Sequence, residues 1–218
     1  MPLFLKVLIM DSNIWSIFPK LTQSTHNILG LVISGLIFLL VVILVSCIIG
    51  GFAANKWNGK RSKTKFAFIL ISSLVAIALF CFFGLSVRTI QGIILSLILL
   101  VASYSDIKTR ECDDYLSVML LLTAFIGIEI SAIPSMFIAA MFTAGMFLLV
   151  VLFISNGIGG ADIKIASACT FLLGFERGII GLIAGLLIAI LCNLRKSKKS
   201  GFPMVPYLTA AFIPAFFL

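Results

Sequence analysis

Charge is what this sequence lacks. Asp, Glu, Lys and Arg make up 11% of its 218 residues, against roughly a quarter in a soluble globular domain. Hydrophobic residues supply 61% and the mean hydropathy is +1.24, which excludes a soluble fold. Histidine is reduced to His26, which has no Cys or His near it in sequence and so offers no zinc site. The five cysteines, Cys47, Cys81, Cys112, Cys169 and Cys192, lack any C-x-x-C spacing and four lie in apolar segments, which argues against a disulfide framework or a metal cluster. No cofactor and no metal is expected. Alternating strands are absent too, so a barrel is excluded. In lipid the backbone must then satisfy its own hydrogen bonds as helices. The fold class is all-α, a polytopic transmembrane helical bundle.

Eight hydrophobic segments carry that reading, at about 28–54, 66–86, 89–105, 115–133, 135–154, 163–175, 178–194 and 202–218. Eight spans is the expected number, with six or seven as alternatives. The third and sixth are short, and the sixth is placed to form a re-entrant pair with the seventh across Glu176, Arg177 and Gly178. Ahead of them, residues 1–27 contain an apolar stretch too short to span, since a span needs about 20 residues. They are expected to form an amino-terminal interfacial segment.

The net charge is +8, with the basic residues gathered in two connections between membrane segments, so topology accounts for them and nucleic acid is not an expected partner. The connections 55–65, 106–114, 155–164 and 195–201 hold twelve Lys and Arg residues; the opposite side has only Lys6, Lys20, Arg88 and Arg177. The positive-inside bias puts the first set in the cytoplasm and, with eight spans, both termini outside.

Two acids then stand out. Asp106, in Ala102-Ser-Tyr-Ser-Asp-Ile-Lys108, and Asp162, in Gly157-Ile-Gly-Gly-Ala-Asp-Ile-Lys164, each lie where a long apolar segment meets a polar connection. A carboxylate beside hydrocarbon marks a functional site unless it is paired or solvated. Both map to the cytoplasmic side, from different hairpins, so a bundle can bring them together. Two carboxyl groups about 3 Å apart cannot both ionise cheaply, so one keeps a proton while its partner stays a carboxylate. That supplies an acid and a base for hydrolysing an amide with water. Gly157, Gly159 and Gly160 suit a loop that lets a substrate backbone approach, and equally suit a simple turn. Lys108 and Lys164, two residues after each aspartate, read as anchors that neutralise local charge. Glu111, Asp113 and Asp114 form an acidic surface beside Asp106 able to attract a basic peptide over about a Debye length. A transporter or channel is the main rival, because intramembrane acids also serve as ion sites.

These residues resemble the type IV prepilin peptidases, membrane aspartic proteases of the GxGD class. Asp106, Lys108 and Asp114 match the first family motif, with Cys112 and Asp113 standing where a hydrophobic residue and proline belong. Gly159-Gly-Ala-Asp-Ile-Lys-Ile-Ala-Ser-Ala168 is similar to the second, with Ala161 in the glycine position before the aspartate. In the carboxyl-terminal pattern Pro203, Pro206 and Leu208 align, so the resemblance covers about residues 90–218.

The resemblance implies a membrane-embedded peptidase domain over 28–218, with Asp106 and Asp162 as catalytic pair and Gly157 to Ala161 as active-site loop. It implies a prepilin or pilin-like precursor as partner, cleaved at the cytoplasmic face of the cell membrane. Without paired C-x-x-C motifs or a long loop between its first spans, the chain is similar to the compact, peptidase-only form serving Flp or Tad-type pili. Methyltransferase activity is not expected. An inert pilus-assembly protein is the remaining alternative.

Overall fold

The structure, a computed structural model, describes residues 30, 32–56, 61–153, 159–193 and 203–218. The expected interfacial segment 1–27 and Gly157 lie outside them. The chain divides into a unit of residues 1–41 and one of residues 42–218. Helix α1 runs over Val32–Lys56, and its part from Val42 onward belongs to the second unit. There follow α2 (Arg61–Phe83), α3 (Val87–Thr109), α4 (Asp114–Ala124), α5 (Ile133–Phe153), α6 (Gly160–Leu173), α7 (Phe175–Asn193) and α8 (Val205–Ala215). No strand occurs among the described residues. The eight helices follow the eight hydrophobic segments one for one. Five stretches, α1, α2, α3, Ile130–Phe153 and α7, are long and apolar enough to cross a membrane. The protein is a multi-pass membrane helical bundle.

Lengths depart from expectation in informative places. The third segment, read as short, is a helix of 23 residues. It starts at the N-cap Ser86, whose hydroxyl accepts from the Thr89 N–H at 3.3 Å, and continues past the last apolar residue to Thr109. Asp106 therefore lies inside its last turn and outside the connection. The fourth segment shortens to the 11 residues of α4, because the chain leaves the helix after Ala124 and turns through Gly127 before the 3-10 turn Ile130–Ala132. Helices α6 and α8, of 14 and 11 residues, are also short of a bilayer. Glu176 and Arg177, expected in a connection, fall in the first turn of α7. The break between α6 and α7 is the single residue Gly174 at φ +77°, a left-handed conformation that a side chain would strain.

Helix α3 is the centre of the bundle. Two thirds (67%) of its apolar window is buried, against 22–28% for α2, α5 and α7, and Leu95, Leu99 and Ala102 are essentially sealed. Helices α2, α4 and α8 pack on it, while α4 and α8 also pack on α6, so α3 and α6 are joined through them without packing on each other. On its other flank α7 approaches α6 and α8 closely through glycine. A Cβ on Gly178 would stand 2.9 Å from the Thr170 Cα, one on Gly181 2.7 Å from the Phe212 ring and one on Gly185 3.2 Å from the Leu208 Cα. Small residues at this spacing let helix backbones approach where lipid removes the hydrophobic drive for association.

Gly178→Val should therefore destabilise the bundle by about 1–3 kcal/mol, since backbone blocks the new side chain. Gly160→Ala, whose Cβ meets nothing within 4 Å, should stay within about 0.5 kcal/mol of the parent. Unfolding in detergent measures both, and equal midpoints would refute the close-packing account.

Candidate functional site

Asp106 and Asp162 occupy the ends of α3 and α6 that face α4 and α8. Asp106 is 6% exposed. It sits one turn before the C-cap Arg110, which takes a left-handed conformation at φ 59° and returns its N–H to the Asp106 carbonyl at 3.0 Å. The next residues fold back on α3. The Ser105 hydroxyl donates to the Glu111 carbonyl at 2.8 Å, the Thr109 hydroxyl reaches the same carbonyl at 3.0 Å, and the Cys112 thiol donates to the Ala102 carbonyl at 3.3 Å. The Asp106 carboxylate itself accepts a buried hydrogen bond from the Val205 N–H at 2.9 Å. The amino end of α8 is thus its immediate partner, and sequence reasoning assigned α8 no role.

Asp162 stands in the first turn of α6, where an acid suits the positive end of a helix. Its N–H donates to the Gly159 carbonyl at 3.1 Å. Its carboxyl folds back toward the same glycine, so a Cβ on Gly159 would stand 3.3 Å from Oδ2. Gly159 and Gly160 are exposed and Ala161 is half-buried, forming an open approach to the acid. Burial and then the charge of Asp106 push the Asp162 carboxyl up to about 6, against a smaller opposing pull from the Gly159 backbone. The two acids therefore feel each other although their helices do not pack together. The Cys112 thiol lies within reach of both charges. Burial first, then Asp106 and Asp162, push it up to about 12, so it stays neutral.

The remaining predicted residues spread around this pair. Lys164 donates to Asp114 at 2.7 Å and ties α6 to the start of α4, while Lys56 of α1 pairs with Asp113 at 2.5 Å. Two of the three acids expected to face a basic peptide are thus held in ion pairs with the protein's own lysines. Glu111 is exposed and makes no ion pair among the described residues. Lys108 is exposed, its ammonium 5.9 Å from the centre of the Tyr104 ring. Glu129 belongs to the connection after α4 and faces Arg88 at 3.9 Å, well exposed. Among the described residues no three His, Cys, Asp or Glu side chains gather to hold a metal ion. What the arrangement offers chemically is two carboxyl groups near enough for the charge of one to bear on the other, at the last turn of α3 and the first turn of α6.

The raised Asp162 has a consequence for stability. A carboxyl held near 6 in the folded state and near 3.8 when free contributes stability below the lower value and loses it as pH rises through the upper one. The melting temperature of Asp162→Asn should therefore gain on that of the parent between about pH 4 and about pH 7. Parallel melting curves across that range would remove the electrostatic account.

No curated protein and no solved structure matches the chain. Residues 93–194 match the sequence model of the type IV leader peptidase family. The matched stretch runs from α3 to the end of α7 and takes in both aspartates while stopping short of α8. Over that stretch, which contains both acids, the chain is similar to the type IV leader peptidase family.

Proposed function

We propose that the protein is a membrane-embedded aspartic endopeptidase that removes the short basic leader of a prepilin or pilin-like precursor at the cytoplasmic membrane face. The observation that carries the reading is that Asp106 and Asp162 lie near enough, within a leader-peptidase segment, for the charge of Asp106 to bear on Asp162. One carboxylate takes a proton from water as its oxygen bonds to the amide carbon. The carbonyl oxygen receives the proton of the other carboxyl. Collapse of the tetrahedral intermediate breaks the C–N bond, and the leaving amine takes up the proton drawn from water. Hydrolysis by this route needs only the two carboxyls and water.

The positions of the acids favour this over transport. A transporter holds its ion site near the bilayer midplane at broken helices, whereas Asp106 is in the last turn of α3 and Asp162 in the first turn of α6. Glu129, the acid within the apolar stretch 115–133, lies in the connection after α4.

A basic leader meets Glu111 first, and reaches Asp113 and Asp114 by exchanging with Lys56 and Lys164. Glu111→Lys should raise KM for a basic-leader substrate a few-fold with kcat preserved, an effect that shrinks as salt rises. An unchanged KM would remove Glu111 from the binding path. Asp106→Asn and Asp162→Asn should each insert and fold normally yet lose precursor cleavage. A single variant that retains full activity would end the two-carboxyl mechanism.

A further inference from the structure

The segment Pro203-Met204-Val205-Pro206 opens α8 in an unusual way. Its N-cap, Met204, has no side-chain cap, although the first N–H groups of a helix need acceptors. Pro203 and Pro206 have no N–H at all. The Tyr207 and Leu208 N–H groups close on the Met204 carbonyl at 3.1 and 3.3 Å. Of the two donors left between the prolines, the Val205 N–H bonds the Asp106 carboxylate at 2.9 Å. Asp106 of α3 is therefore the cap of α8. A second rung fixes the register one turn further on, where the Ser103 and Thr209 hydroxyls lie 2.7 Å apart and the Thr209 hydroxyl reaches the Leu99 carbonyl at 3.3 Å.

A hydrogen bond to a carboxylate favours its charged form; the helix dipole does not separate the two acids, since each lies at a helix amino terminus, whereas the 2.9 Å Val205 donor belongs to Asp106. The Asp162 carboxyl lies beside the Gly159 backbone and faces the charge of Asp106. The two acids are thus made unequal by their surroundings.

We infer that Pro203 to Pro206 is a positioning element that makes Asp106 the carboxylate which activates water and leaves Asp162 as the acid which protonates the carbonyl. The inference rests on the two-carboxyl reading above and assigns the roles within it. Burial opposes charge on Asp106, and the Val205 donor and the Arg110 cation work against that opposition. Its own helix end contributes Arg110 and Lys108, the connection a neutral Cys112, and α6 the acid Asp162. On α4, Asp113 and Asp114 are matched by Lys56 and Lys164. Helix α2 brings Lys63 and Lys65, the latter turned toward Gly51 of α1, and α8 brings Tyr207.

The test is the pH dependence of precursor cleavage by the purified full chain in detergent. Val205→Pro deletes the main donor, Val205→Ala keeps it while trimming the side chain, and Pro206→Ala supplies an extra N–H at a position that suits a cap. The acid limb, which reports the base, should rise by about one pH unit in Val205→Pro, about tenfold in rate on that limb. It should fall in Pro206→Ala and stay in place in Val205→Ala, with the alkaline limb unmoved throughout. An acid limb unmoved in Pro206→Ala, or a shift confined to the alkaline limb, overturns the assignment. Should Val205→Pro fail to fold, Pro206→Ala decides alone. Activity surviving in Asp106→Asn would instead defeat the two-carboxyl mechanism itself, so the two failures are distinct.

Discussion

A buried carboxylate needs donors and an uncapped helix needs an acceptor, and the contact between Asp106 and the amino end of α8 meets both needs at once. Either group alone would be a liability in a bundle surrounded by lipid, where an unpaired polar group costs several kcal/mol. Joined, they fix where α8 begins and where α3 can end. Much of the site follows from that. Helix α8 packs on α3, α6 and α7, so the contact that restrains Asp106 also restrains a helix that packs on α6. Glycine on α7 allows the close approach that brings α8 to its place, with the Phe212 ring and Leu208 lying over positions where a side chain would collide.

Helix α4 is the other bridge. It is too short to span, and its first turn projects toward both α1 and α6 through Asp113 and Asp114. Exposed ion pairs of this kind contribute little to stability, about 0–1 kcal/mol each. Their effect is better understood as registration, since Lys164 lies two residues beyond Asp162 and its partner Asp114 lies two beyond Cys112. Such weak pairs can exchange with an incoming basic chain without unfolding anything. The buried contact between Asp106 and Val205 keeps the site in shape meanwhile.

Hydropathy made the helical class and the eight segments legible, because each segment is a continuous apolar run whose only stable form in lipid is a helix. It misjudged ends for the same reason. Residues Asp106 to Thr109 read as a connection, yet they complete α3 because its buried face continues through Ala102, Ser103, Ser105 and Asp106. The residues after Ala124 read as helix because they are apolar, yet the chain turns there. The aspartates were visible as costly acids at segment ends. Their ion-paired neighbours were not, since Lys56 and Asp113 are 57 positions apart and no local pattern joins them.

Helix α8 marks the sharper limit. The prolines at 203 and 206 could be read in the sequence, and their missing N–H groups follow from chemistry alone. What they leave unblocked, and for whom, depends on a partner 99 residues earlier. That distance also explains why the leader-peptidase match can end at residue 194 while the first acid's donors lie beyond it. The contribution of α8 is made by backbone, so within the limits set by the two prolines its side chains are free to answer to packing. Cys112 illustrates the converse. It departs from the motif in side chain, yet as a neutral, half-buried thiol it places no competing charge near the two carboxyl groups. The demand at that position is for low polarity, and a protonated cysteine meets it as a hydrophobic residue would.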